Sequence, residues 1–200
     1  MRKSFAFSSF CLALALASLS QAATLSMGNY ILQPNTANQQ IQIFGSGGED
    51  IQGIELGLQI LPVNNEGPTI TGITINGPGT FFGANSFPPQ IAQVPGNPRF
   101  WTADVGTLAD TIPLTSTLPI AMITVSTVGL SAKGTTQNFT VDLSPAQAPT
   151  LFVVPTGDFE LFPIITNGTL TIAAVPEPST MVLAGIAGIA MVVAGFRRKK

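Results

Sequence analysis

Residues 49–61 read EDIQGIELGLQIL, and the spacing of the apolar residues among them decides the class of fold. Ile54, Leu56, Leu58 and Ile60 fall on every second position, with Glu55, Gly57 and Gln59 between them. A period of two sends the first set to one face of an extended strand and the second set to the other. The same alternation recurs on either side, in Ile41 and Ile43 against Gln40 and Gln42, and in Phe139, Val141 and Leu143 against Asn138, Thr140 and Asp142. Further strands are expected over 25–32, 69–75, 100–105, 119–128 and 168–173. Within 119–128, Ile120 and Met122 keep one register while Ile123 and Val125 keep the other, which predicts a bulge or a fully buried strand. No window in this part of the chain carries a helical stripe. About eight or nine short strands, punctuated by PNTAN, GSGGED, NNEGP, NGPG and SPAQAP, predict an all-β domain, a two-sheet β-sandwich closed by Greek-key or jelly-roll connections.

Composition narrows the function. Of 200 residues, 45% are hydrophobic and only 9% charged, too apolar for disorder and too poor in charged helix formers for a bundle. The charges are segregated. Arg2 and Lys3 stand at one end and Arg197, Arg198, Lys199 and Lys200 at the other, leaving Arg99 and Lys133 between them. Nine acidic residues, from Glu49 to Glu160, share that middle with those two cations, a formal charge of −7. Such a body releases few counterions from a phosphate backbone, so nucleic acid and anionic membrane surfaces are poor partners for it.

The first 22 residues read as a signal peptide: a short basic start, an apolar run over 5–19, then Ser20, Gln21 and Ala22. Small residues at the positions signal peptidase inspects predict cleavage between Ala22 and Ala23. Cys11 lies inside the apolar run, and Ser8, Ser9 and Phe10 before it do not form a lipoprotein pattern. The mature chain then has no cysteine, and a body over 23–174 relies on its core alone.

Catalytic chemistry is narrowed by residue type. The chain has no histidine, and the mature part no cysteine, which excludes a His-based triad, a Cys nucleophile and an ordinary zinc site. The carboxylates Glu49, Asp50, Glu55, Asp104, Asp110, Asp158 and Glu160 remain, but a hydrolytic pair is defined by a separation that sequence does not give. These residues read as solvated strand edges and turns, and no enzyme and no cofactor is expected. Calcium is the one ion left open, through Glu49 and Asp50 in the GSGGED turn or Asp158 and Glu160, without the spaced pattern of a dedicated loop. Asn138-Phe139-Thr140 and Asn167-Gly168-Thr169 match the glycosylation sequon, and the second reads equally as a turn before the last strand. Residues 76–98 show no alternation and form a long irregular segment, of the kind that is either functional or mobile. Phe81, Phe82 and Phe87, with Trp101 and the more distant Tyr30, are candidates for an aromatic platform that stacks on a sugar; the alternative is that they plug the core. For Trp101, within RFWTADV, the core is expected.

The last residues divide into three parts. Val175, Pro176, Glu177, Pro178 and Ser179, followed by Thr180, precede an apolar stretch over 181–196, and Arg197, Arg198, Lys199 and Lys200 close the chain. As a helix the apolar stretch rises roughly 24 Å against a hydrocarbon core of about 30 Å, so it can only just span. The basic residues can snorkel to the headgroups and hold that end in the cytoplasm. Pro176 and Pro178 keep Glu177 out of any helix and display it in extended backbone. In this order the three parts resemble the PEP-CTERM sorting signal of Gram-negative bacteria, a tail also labelled an ice-binding protein C-terminal domain. In that family a membrane cysteine transpeptidase, exosortase, recognises and removes the tail. The resemblance implies a protein exported past signal peptidase, held briefly in the inner membrane, and released to the cell surface or an exopolysaccharide matrix, with polysaccharide as a further partner. The body resembles cohesin-like jelly rolls: EDIQGIELGLQIL is similar to their early core strand and NGTLTI to their final one. That resemblance carries no dockerin-binding residues over.

Two roles for the body follow, a structural or adhesive matrix module and a specific carbohydrate-binding module. Ice binding is not indicated, because Thr69, Thr71 and Thr74 do not keep a single period. If the alternation is read correctly, residues 23–174 produced alone give a soluble monomer with β-type circular dichroism and cooperative urea unfolding. Leu56→Ala or Phe139→Ala then lowers the unfolding free energy by about 2 to 5 kcal/mol, and a helix-dominated spectrum overturns the sandwich.

Overall fold

The alternating segments become strands in a computed structural model that describes residues 22–62, 66–83, 86–107, 111–115, 117–130, 136–155 and 160–174, together with 183, 185–187, 189 and 191. Along the chain the strands are β1 (Thr24–Met27), β2 (Asn29–Leu32), β3 (Gln39–Ser46), β4 (Asp50–Ile51), β5 (Gly53–Leu61), β6 (Thr69–Thr74), β7 (Gln90–Gln93) and β8 (Phe100–Gly106). They continue as β9 (Ile112–Pro113), β10 (Ala121–Ser126), β11 (Gln137–Asp142), β12 (Leu151–Val153), β13 (Glu160–Leu161), β14 (Ile164–Thr166) and β15 (Gly168–Ile172). One sheet has the order β14-β1-β3-β10-β6. The other has the order β13-β12-β5-β11-β15-β2, with β8 on the opposite edge of β5 and β7 beyond it, while β4 and β9 form a separate ribbon. The expected two-sheet sandwich is therefore present.

Its core is built by the residues the alternation points to. Ile54, Leu56, Leu58 and Ile60 are buried from the second sheet, Ile41, Ile43, Ile123 and Val125 from the first, and all belong to one apolar cluster. Phe139 and Val141 enter the same cluster from β11. Fully burying a side chain of this size stabilises by about 1.5 to 3 kcal/mol, so this shared face is the main favourable contribution to folding. The irregularity expected in 119–128 is a register shift of β10 against β6 between Thr124 and Val125.

The single strand expected over 25–32 is two strands in different sheets. β1 pairs with β3 and, in parallel, with β14, whereas β2 pairs in parallel with β15. The phase of burial reverses across the join: Leu25 and Met27 are buried on odd positions and Leu32 on an even one. A chain that crosses from one sheet to the other must reverse its phase in this way, because each sheet presents its opposite side to the shared core. β14 and β15 make the same crossing beside it. A Cβ on Gly168 would lie 2.5 Å from the Gly28 carbonyl oxygen and 2.9 Å from the Met27 Cβ, so the two crossings approach through glycine.

Two further differences have physical causes. The segment over 76–98 contains β7, all four residues of which are exposed, so an edge strand without a buried face leaves no period to read. Strands β12, β13 and β14 have only two or three residues each, too short for a pattern.

β5 reveals how the second sheet is joined. β8 runs along one edge from Gly53 to Gln59, while on the other edge β12 covers Gly53 to Glu55 and β11 covers Gln59 to Leu61. In the break between them stands Thr150, 1% exposed. Its hydroxyl accepts the Gly57 N–H at 2.9 Å and turns its own proton towards the carbonyls of Gly57, at 3.2 Å, and Leu143. A side chain thus replaces the missing strand. Thr150→Val keeps the shape but strands a buried N–H, and should lower stability by about 1 to 3 kcal/mol in urea unfolding. Thr150→Ser should recover most of that loss.

Candidate functional site

The outer face of β5 and β8 follows from their register. Glu55 lies directly opposite Asp104, with Gly53 opposite Gly106 on one side and Gly57 opposite Thr102 on the other. Leu56 and Ile54, opposite Ala103 and Val105, fill the core, so the intervening pairs point outward. The missing side chains at Gly53 and Gly106 lower the surface beside the two carboxylates. A Cβ on Gly53 would lie 2.7 Å from the Val105 carbonyl oxygen, and one on Gly106 would lie 3.5 Å from the Phe87 ring. Phe87 therefore borders the depression, and with Gln90, Val153 and the carboxylates it encloses a hollow of about 480 Å³. A second hollow of about 330 Å³ lies on the other side, between Thr102 and the chain over Gln147, Ala148 and Pro149. Glu55 and Asp104 line both hollows.

No hydrogen bond or ion pair among the described residues holds either carboxylate. Arg99 is buried and donates to the Pro62 carbonyl at 2.6 Å, and Lys133 lies outside the described residues. Like charges placed directly opposite one another on neighbouring strands are destabilising. Desolvation adds to this, and pushes the Asp104 carboxyl above its ordinary value.

Of the five rings named from the sequence, the four from Phe81 to Trp101 do not share one exposed face. Phe81 and Phe82 are 7% and 2% exposed and meet edge to face, 5.1 Å apart, so both belong to the core. Trp101 shares the core side of β8 with Leu58 as its opposite residue; it is half-buried and donates its indole N–H to the Pro98 carbonyl at 3.3 Å. Phe87 alone of the four is well exposed, at 54%. Tyr30 exchanges hydrogen bonds with the Gln42 backbone at 3.1 Å and is half-buried. The loop's aromatic content reads as one surface in sequence and divides between core and rim because burial of the large rings is worth more than their exposure.

Glu49, Asp50 and Glu160, named as calcium candidates, line a third hollow of about 490 Å³ with Val154, Pro155 and Leu161. Among the described residues no three such groups are close enough to hold a metal ion, and Asp158 lies outside them. At the expected signal peptidase site Ala22 is exposed, whereas Ala23 is 2% exposed and its carbonyl accepts the Ile164 N–H at 2.8 Å. The rest of the expected signal peptide lies outside the described residues, as do Val175, Pro176, Glu177, Pro178, Ser179, Arg197, Arg198, Lys199 and Lys200. Within the expected transmembrane helix, the described Leu183, Ile186, Ile189 and Met191 are helical with exposed side chains. Among the described residues no helix is long and apolar enough to cross a membrane.

Comparison with known structures places the fold. The chain is similar to a non-cellulosomal cohesin from the hyperthermophilic archaeon Archaeoglobus fulgidus, at 15% identity and a TM-score of 0.52, over 76% of this chain and 92% of that one. It is likewise similar to the cohesin module of a family 33 glycoside hydrolase from Clostridium perfringens, at 14% identity and a TM-score of 0.54, over 78% of this chain and 100% of that one. The body is thus a cohesin-like β-sandwich. Residues 174–199 match the family model of the PEP-CTERM protein-sorting motif, so this sandwich carries a sorting tail. No curated protein matches the chain in sequence.

The raised Asp104 pKa has a defined sign in stability. Between the ordinary Asp value and the raised one, the folded state binds more protons than the unfolded state, so stability falls as pH rises through that window. Asp104→Asn should therefore raise the melting temperature at neutral pH, and the gain should fade as pH falls through that window and vanish by about 3.9.

Proposed function

We propose that the chain is an exported protein of a Gram-negative bacterium, cut by signal peptidase after Ala22, sorted by exosortase through its tail, and left at the cell surface or in an exopolysaccharide matrix. There the sandwich serves as a non-catalytic structural or adhesive module. The observation that carries this reading is the position of the sorting motif, at 174–199, directly after β15 ends the body at Ile172. The apolar run over 5–19 before Ala22 supports export, and the lack of histidine and of mature cysteine supports a non-catalytic role.

Each part of the tail has a separate physical task. The apolar segment 181–196 halts export in the inner membrane, the basic residues from Arg197 to Lys200 fix its orientation, and Pro176 and Pro178 hold Glu177 extended for the transpeptidase. A second reading, a specific carbohydrate-binding module, is favoured by the Phe87-bordered hollow beside Glu55 and Asp104.

The tasks should fail separately. Glu177→Ala with Pro178→Ala should leave uncut protein in the inner membrane, because the anchor remains while the recognition motif is gone. Deleting residues 175–200 should release the body unprocessed. Mass spectrometry of the mature protein should place its new C-terminus near residues 175–179. An intact Lys200 on the surface protein of an exosortase-expressing host would mean a permanent anchor instead.

A further inference from the structure

We propose that the two hollows on the outer face of β5 and β8 form one groove for a glycan chain built from amino sugars, which crosses the Glu55–Asp104 pair and rests one ring on Phe87. The proposal deepens the adhesive reading above by naming a site and a class of ligand.

The groove offers what such a chain needs. A pyranose ring has an apolar C–H face and a rim of hydroxyl groups. Phe87 presents an exposed ring at one end, beside the glycine-lowered surface of Gly53 and Gly106. Aromatic rings combine large apolar area with little entropy to lose. The Gln90 amide, which lines the same hollow, can donate and accept. The two carboxylates accept hydroxyl and ammonium protons, and bonds to a charged acceptor are about twice as strong as neutral ones. Both hollows open to solvent on either side of the pair, so a polymer can pass over it without ending there.

Charge selects among glycans. Neither carboxylate has a partner among the described residues, and the body around them is strongly acidic. A uronic acid polymer would add a third negative charge to this place, whereas an ammonium group between Glu55 and Asp104 removes the repulsion between them. An extended basic peptide would share that charge, but it also needs main-chain partners. The backbone beneath the groove is already engaged in the β5–β8 ladder, and the polar groups facing outward are side chains.

The test is calorimetric titration of the full chain, solubilised in mild detergent, with β-1,4-linked glucosamine hexamer, its N-acetylated counterpart, galacturonic acid hexamer and a lysine hexapeptide. Glucosamine hexamer should bind most tightly, with affinity falling as salt rises. Phe87→Ala, and Glu55→Gln combined with Asp104→Asn, should each weaken it by about tenfold or more without lowering the melting temperature. No binding of glucosamine hexamer would overturn the proposal. Equal binding of the lysine peptide, unaffected by Phe87→Ala, would also overturn it, since the site would then be a bare negative charge. Tail processing is read in the host by mass spectrometry and does not involve the groove, so failure of sorting and failure of binding are separate results.

Discussion

The nine residues of β5, mostly buried, have to satisfy their backbone on both edges, and the way they do so organises the second sheet and its outer surface. One edge is met by β8 without interruption. The other is divided between β12 and β11, and the hydroxyl of Thr150 spans the division. The chain leading to Thr150 is consequently drawn across the outside of β5, where a Cβ on Gly57 would overlap the carbonyl oxygen of Ala148. That crossing forms one wall beside Glu55 and Asp104, and Phe87, in the segment leading to β7, forms the opposite one. A requirement of backbone pairing thus shapes the surface where the groove rimmed by the exposed Phe87 is found.

Much of this architecture was legible in the residues. The period of two in Ile54, Leu56, Leu58 and Ile60, and in Phe139 and Val141, names core positions that are buried, because a strand with one face on the core and one outside must alternate. The crossing at Gly28 was not legible, since Leu25 and Leu32 each look like members of one continuous strand and the reversal of phase appears only when their partners are known. β7 left no trace in hydropathy because none of its residues is buried. In the candidate site, Glu55 and Asp104 were recognisable as carboxylates, but their opposition is a matter of register between segments nearly fifty residues apart. The glycines at 53, 57 and 106 were the available local signal, as positions without side chains on the outward phase of two strands. The aromatic cluster misled for a related reason: proximity in sequence grouped Phe81, Phe82 and Phe87, and the fold separates them by burial.

The balance of stability and surface chemistry differs between the two faces of β5. Inward, every second residue contributes to a single apolar cluster. Outward, two negative charges face each other and none of the described cations offsets them. Departures from local consistency of this sort tend to mark places that serve something other than folding. The buried Arg99, by contrast, has a partner within the fold, its guanidinium donating to the Pro62 carbonyl.

The pairing of β1 and β2 with β14 and β15 also sets an order of events. Asn29 and Thr169, hydrogen-bonded in the finished sandwich, stand 140 residues apart in the chain. β2 has β15 as its strand partner, so until the last strand is available that edge of the second sheet has nothing to close against. Joining such distant segments carries the loop-closure entropy of nearly the whole body, which makes this a late step in folding. A chain threaded through a membrane with its N-terminus leading would therefore remain open, and easily passed through a narrow channel, until residues 164–172 emerge. The sorting motif begins at residue 174, so on the export route proposed above the sandwich would become able to close at about the moment the tail reaches the membrane. Closure and arrest would then be timed by the same few residues.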